Sequence, residues 1–144
     1  MSAVPSPMAP RFITAVPESA RSRVASDVAV CGGLAYVNGV GPADLGNDRA
    51  HLPEMVEAQT QRVFANLDAI LAAAGVVGRD IVAVQVRLVD LDRLFDRMNV
   101  AYVRCIGDRP LPTRGCSGVA RLTRGALVEM DFIVRAADAV APSR

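Results

Sequence analysis

From Val128 to Arg135 the chain alternates strictly. Val128, Met130, Phe132 and Val134 fall on one parity, and Glu129, Asp131, Ile133 and Arg135 on the other. Successive side chains of a strand point to opposite faces. This segment therefore needs a sheet with one apolar face to be covered and one face that carries charge.

Two helices are available as the cover. From Pro53 to Ala74 an apolar stripe runs through Val56, Thr60, Val63, Leu67, Ile70, Leu71 and Ala74. Pro53 suits a first turn, Glu54 and Glu57 favour the positive end of the helix dipole, and Gly75 marks the stop. Gln59 and Asn66 lie near the stripe and are expected to cap or bridge elements. A second helix is predicted over roughly Asp92 to Ile106, with Leu94, Phe95, Met98, Tyr102 and Ile106 on one side. Asn99 and Tyr102 are the polar-capable groups there. Core packing is the default for the tyrosine, and a hydrogen bond to a neighbouring loop is the default for the asparagine.

Further strands follow from the same reasoning. Asp80 to Asp90 alternates Val82, Val84, Val86 and Leu88 with Ala83, Gln85, Arg87 and Val89. Val28 to Cys31 and Leu34 to Asn38 flank Gly32-Gly33 and predict a hairpin. Arg11 to Thr14 fits a short edge strand, and Glu18 to Ser26 a loop. The strands on either side of Thr123-Arg124-Gly125-Ala126 are expected to pair as a second hairpin. The order strand, strand, helix, strand, helix, strand, strand predicts a two-layer α+β domain, with helices on one face of a mixed sheet. Its other face would carry Gln85, Arg87, Glu129, Asp131 and Arg135. Such a face is either solvated or lines the inside of an oligomer, whose symmetric closure would create clefts between subunits.

At 144 residues the chain reads as a single domain, residues 1–144, with 1–11 a loose arm and 137–144 a tail. Sixteen Lys and Arg against fifteen Asp and Glu give a net charge of +1, and aromatics are only 4%. That balance offers no general attraction for nucleic acid or an anionic membrane, and few stacking platforms. Cys31, Cys105 and Cys116 form no CxxC pair, and His51 has no neighbouring ligand types, so no zinc site is expected. Reduced thiols in a cytoplasmic protein fit the odd, wide spacing. Neither a secretory signal nor a membrane-spanning run is read.

The chemistry-bearing stretch is Pro112 to Val134. It offers a cation, Arg114, near the start of one strand and a carboxylate, Glu129, inside the next. On a rigid hairpin the pair could serve a small carboxylated substrate. The competing reading is a half-buried hairpin with solvated charges, because structural charges outnumber catalytic ones. Gly39 and Gly41 end a strand, where glycine allows either close approach of a ligand or a bulge.

Taken in order, several pieces carry a resemblance. They are Tyr36-Val37-Asn38-Gly39, Gln59-Thr60-Gln61, Asn66-Leu67 and Ile70-Leu71-Ala72-Ala73-Ala74-Gly75, followed by Asp80-Ile81-Val82 and Val89-Asp90-Leu91. Met98-Asn99-Val100-Ala101-Tyr102, Pro112-Thr113-Arg114, Val119-Ala120-Arg121-Leu122 and Val128-Glu129-Met130-Asp131 complete the set. From about Val28 to Ala136 the chain resembles the RidA/YjgF family of reactive-intermediate deaminases, also called L-PSP endoribonuclease-like.

The resemblance implies a chorismate-mutase-like fold and a homotrimer with three inter-subunit clefts. It implies a cofactor-free hydrolysis of an amino-acid-derived enamine or imine to a 2-oxo acid and ammonia. Arg114 matches the arginine that grips the substrate carboxylate, and Glu129 the carboxylate that activates water. Cys116 matches a position whose backbone, not its sulfur, faces the reacting atoms. Asn99, Gly39, Asn38 and Gly115 match positions that line the pocket.

The chain also departs from that pattern. Arg21-Ser22-Arg23-Val24 replaces a Gly-Pro-Tyr segment, Asn38-Gly39-Val40 replaces Ser-Gly-Gln, and Gly115 stands where Ser or Thr is common. Arginines at the pocket mouth would favour a larger or doubly acidic substrate, such as an aminomuconate-like compound. Three other functions compete with the deaminase: a non-catalytic carboxylate binder, to which Glu129 would add nothing, a RidA-like enzyme with different chemistry in a biosynthetic or catabolic pathway, and nucleic-acid processing, against which the charge balance weighs.

Overall fold

The computed structural model describes residues 9–16 and 24–136. Most of the expected N-terminal arm, the tail 137–144, and Arg21 with Arg23 lie outside the described residues. The elements are β1 (Arg11–Ile13), β2 (Val28–Cys31), β3 (Leu34–Val40), α1 (Val56–Ala73), β4 (Ile81–Val89), α2 (Leu91–Ile106), β5 (Thr113–Val119) and β6 (Val128–Arg135). They form the α+β fold expected, one mixed sheet ordered β1-β2-β3-β6-β4-β5 with both helices packed on one face.

The Gly-Gly hairpin is present: β2 and β3 pair antiparallel through Cys31 and Leu34, with Gly32 and Gly33 at φ 58° and 76°. The second hairpin is not. Among the described residues β5 pairs only with β4, in parallel, whereas β6 lies antiparallel between β3 and β4. A 3-10 turn at Thr123–Gly125 carries the chain over the end of β4 instead of folding β6 back onto β5. Arg124 takes φ 60° in that turn, a costly conformation for a residue with a side chain. Its guanidinium binds the Asp48 carboxylate at 2.8 Å and the Asp48 carbonyl at 2.7 Å, which fixes the turn to the loop before α1.

The core fills the layer between sheet and helices. Val128, Met130, Phe132 and Val134 of β6 are fully buried, with Val86 and Leu88 of β4 beside them. Leu67, Ile70 and Leu71 of α1 and Met98 of α2 cover them. Phe64 meets the rings of Tyr102 and Phe132 edge-on, at 5.8 and 5.4 Å between centroids. Gln59 and Asn66 bridge elements as the sequence suggested. Gln59 donates to the Pro53 carbonyl and accepts from the Leu127 amide, and Asn66 donates to the carbonyls of Gly41 and Ala43.

Candidate functional site

Arg114 and Cys116 stand opposite Val84 and Val86 of β4 and so share the helix-covered face of the sheet. The Arg114 guanidinium lies over two rings of α2, 4.8 Å from the centroid of Tyr102 and 5.8 Å from that of Phe95. Phe95, Asn99 and Tyr102 recur at helical spacing, so one face of α2 supplies the platform. Among the described residues Arg114 has no carboxylate partner. On the same helix, Asn99 Oδ1 and Tyr102 Oη are buried with no hydrogen-bond partner among the described residues. The loop contact expected of Asn99 is thus not made by its carbonyl oxygen.

Burial pushes the Tyr102 phenol up, against the opposing pull of Arg114. The hydroxyl stays protonated at neutral pH and can donate. Burial likewise pushes the Cys116 thiol up, again opposed by Arg114. A thiol held in that form is a poor nucleophile. Among the described residues β5 is also an edge strand, with one side of its backbone lacking a strand partner.

Glu129 sits elsewhere. It stands opposite Arg87 of β4, on the polar face that period two assigned to Gln85, Arg87, Glu129 and Asp131. Arg87 Nε donates to Glu129 Oε2 at 3.1 Å, and the two Nη atoms donate to the two Asp131 oxygens, each at 2.7 Å. These bonds, Asp131 first and Glu129 less, hold the Arg87 guanidinium above its usual range despite the opposing effect of burial. The Gly39 amide donates to Asp131 Oδ1 at 2.7 Å. Gly39 has φ 67° within a bulge between Val37 and Val40, which re-aims the end of β3. Gly39 and Glu129 both line a cleft of about 160 Å³ that also touches Gly41, Asn66 and Arg124. Asn38, exposed, precedes Gly39 on the same strand end.

Gly115 faces the polar side opposite Gln85, and a Cβ there would overlap Gln85 Oε1. The Gln85 side chain occupies the place a Ser or Thr side chain would take, and donates to Ser117 Oγ at 3.3 Å.

The expected residues therefore fall into two groups. Arg114 and Cys116 on the helix-covered face of β5, with Asn99 on α2, form one. Glu129, Gly39 and Asn38 form the other, at the bulged end of β3. Gly115, on the polar face opposite Gln85, belongs to neither. The sequence put Phe95 on the packed side of α2 and named neither it nor Arg87 as a site residue, since their contacts depend on strand order and helix placement. The alternation in β4 placed Arg87 on the correct face but could not supply its partner.

The sequence profile of the family described as Endoribonuclease L-PSP matches residues 18–136. A RutC family protein of Saccharolobus solfataricus is 35% identical over 104 residues, covering 72% of this chain and 80% of that protein. Protein DfrA of Myxococcus xanthus is 41% identical over 78 residues, which span 54% of this chain and only 58% of DfrA. Among solved structures, YyfA of the conserved Rid family from Yersinia pestis aligns with a TM-score of 0.77 at 26% identity, covering 88% of this chain and 99% of that one. RidA from the Antarctic bacterium Psychrobacter sp. aligns with a TM-score of 0.68 at 28% identity, covering 94% and 99%. In extent and fold these matches agree with the ordered motifs of the sequence, and the chain belongs to the RidA/YjgF family, whose profile carries the description Endoribonuclease L-PSP.

Proposed function

We propose that the protein hydrolyses a reactive enamine or imine that carries a carboxylate, releasing a 2-oxo acid and ammonia. The observation that carries this reading is the Arg114 guanidinium, held on two ring faces of a helix that also carries two buried polar atoms, none of the three groups having a carboxylate or hydrogen-bond partner among the described residues. A planar fork of donors with no carboxylate of its own suits a substrate carboxylate. Asn99 Oδ1 could accept a hydrogen bond from the substrate, and Tyr102 could donate one.

The sheet separates Arg114 from Glu129, so one copy cannot bring both to one small molecule. The reading therefore requires a closed oligomer, a homotrimer in keeping with the resemblance, in which each cleft joins Arg114 of one copy to Glu129 of the partner subunit. Protonation of the imine nitrogen makes its carbon electrophilic. Glu129 takes a proton from water as the oxygen adds to that carbon. That proton passes to the nitrogen of the carbinolamine, Glu129 then takes the hydroxyl proton as the C–N bond breaks, ammonia leaves, and the carbonyl of the 2-oxo acid remains. Cys116 contributes backbone from the free side of β5 and not its sulfur.

The test is ammonia release from freshly generated imino and enamino acids of several sizes. Wild type is run beside Arg114→Ala and Glu129→Gln, each checked for folding. Turnover by wild type and its loss in both variants is expected. No turnover by wild type on any substrate, with Arg114-dependent binding of 2-oxo acids, would replace this reading with that of a carboxylate-binding protein.

A further inference from the structure

We propose that Arg87 is a positioning residue for Glu129, pinning one carboxylate oxygen and leaving the other free for the reacting water. The inference rests on the deaminase reading above and adds to it a residue that touches neither substrate nor water.

The geometry is asymmetric. Asp131 receives both Nη groups of Arg87 at 2.7 Å, whereas Glu129 receives only Nε, at 3.1 Å and through Oε2 alone. Glu129 Oε1 has no hydrogen-bond partner among the described residues, and Glu129 lines the cleft beside Gly39. Asp131 is committed twice, since Oδ1 also accepts from the Gly39 amide at 2.7 Å. One guanidinium cannot neutralise two carboxylates, and the shorter, paired contacts go to Asp131. Glu129 is thus oriented without being saturated, as a carboxylate that must accept a proton requires. All three side chains are about one-quarter exposed, which limits solvent screening.

Asp131 serves as the anchor. It ties Arg87 to the bulge of β3, so the orientation of Glu129 is coupled to the Gly39 backbone that lines the same cleft. Removal of Arg87 would free the Glu129 side chain and leave two carboxylates repelling each other on one strand face.

The experiment measures kcat and KM for ammonia release with the full chain. The variants are Arg87→Met, Arg87→Lys, Glu129→Gln and the double variant Arg87→Met/Glu129→Gln. Arg87→Met is expected to lower kcat roughly 10- to 100-fold with KM little changed, since misplacing a catalytic group by about 1 Å costs on that order. Arg87→Lys should restore part of the rate but not all, because an ammonium cannot reproduce the planar fork. In the Glu129→Gln background, loss of Arg87 should cost nothing further, the mark of two residues acting as one unit.

The double variant Arg87→Gln/Asp131→Asn covers the case in which Arg87→Met does not fold. It keeps the cluster's net charge while unpinning Glu129, and the same fall in kcat is expected. A folded Arg87 variant with wild-type kcat, alongside an inactive Glu129→Gln, overturns the role of Arg87 and leaves the deaminase reading standing. Wild-type turnover by Glu129→Gln removes the reading beneath it.

Discussion

Arg114 and Glu129 occupy opposite faces of one sheet, with β4 between their strands: Arg114 stands opposite the buried Val84, and Glu129 opposite Arg87. If each cleft takes one residue from each of two copies, inactive variants should complement one another. Arg114→Ala and Glu129→Gln, denatured and refolded together, would form mixed clefts that contain both wild-type residues. Random assembly predicts recovery of about one-quarter of wild-type activity, with none in either variant refolded alone. Ammonia release before and after mixing measures it, and no recovery despite verified mixed oligomers would rule out a shared cleft.

The Cys116 thiol packs against the core, and its burial keeps it protonated at neutral pH. Cys116→Ser should therefore retain turnover to within a few-fold, and iodoacetamide should label Cys116 slowly at neutral pH. Peptide mapping after timed alkylation gives the rate. Complete inactivity of a folded Cys116→Ser variant would contradict the backbone role.

Gly115 is matched to Gln85, and the clash there is with the far end of a flexible side chain. Gly115→Ser should fold, with Gln85 swinging away from Ser117 and a stability change of about 1 kcal/mol or less. Urea unfolding would measure the change. A loss of several kcal/mol would mean that Gln85 has nowhere else to go.

Arg97 grips Glu57 with two bonds, Nε to Oε1 at 2.6 Å and Nη2 to Oε2 at 3.0 Å, which joins α2 to the first turn of α1. That contact, chiefly, holds the Glu57 carboxyl below its usual range. A depressed folded value stabilises the fold above the unfolded value, about 4.3 for glutamate, and the contribution fades as pH falls through the folded value. Thermal melts of wild type and Glu57→Gln should differ at pH 7 and converge toward pH 3. A difference that stayed constant across that range would show that the charge pairing does not contribute.

What the sequence made legible was local. Period two in β4 and β6 and period 3.6 in α1 and α2 depend only on neighbouring residues, and they placed Val86, Phe132, Leu67 and Met98 in the core. The same parity put Arg87 and Glu129 on the polar face. Strand order was not legible at the site. Thr123 to Ala126 signals that the chain turns, yet a turn does not name the strand that will receive it. The chain steps over β4 at Arg124, and so Arg114 and Glu129, which looked like one platform, belong to different faces. The contact of Arg87 with Glu129 was hidden for the same reason, since it exists only in the β4–β6 register. The stacking of Arg114 on Tyr102 needed the path of α2 across β5.

The position of β6 has a consequence for the order in which the molecule can assemble. The final strand of the sheet to leave the ribosome is the one that belongs between β3 and β4. Until it arrives, β3 and β4 each present an unpaired inner edge, and the floor of the core, Met130 and Phe132 among it, does not exist. Folding must then wait for nearly the whole chain and proceed through contacts distant in sequence, which slows it. A nascent chain stalled before Val128 would expose two open strand edges to its neighbours, the hazard that makes such intermediates aggregate.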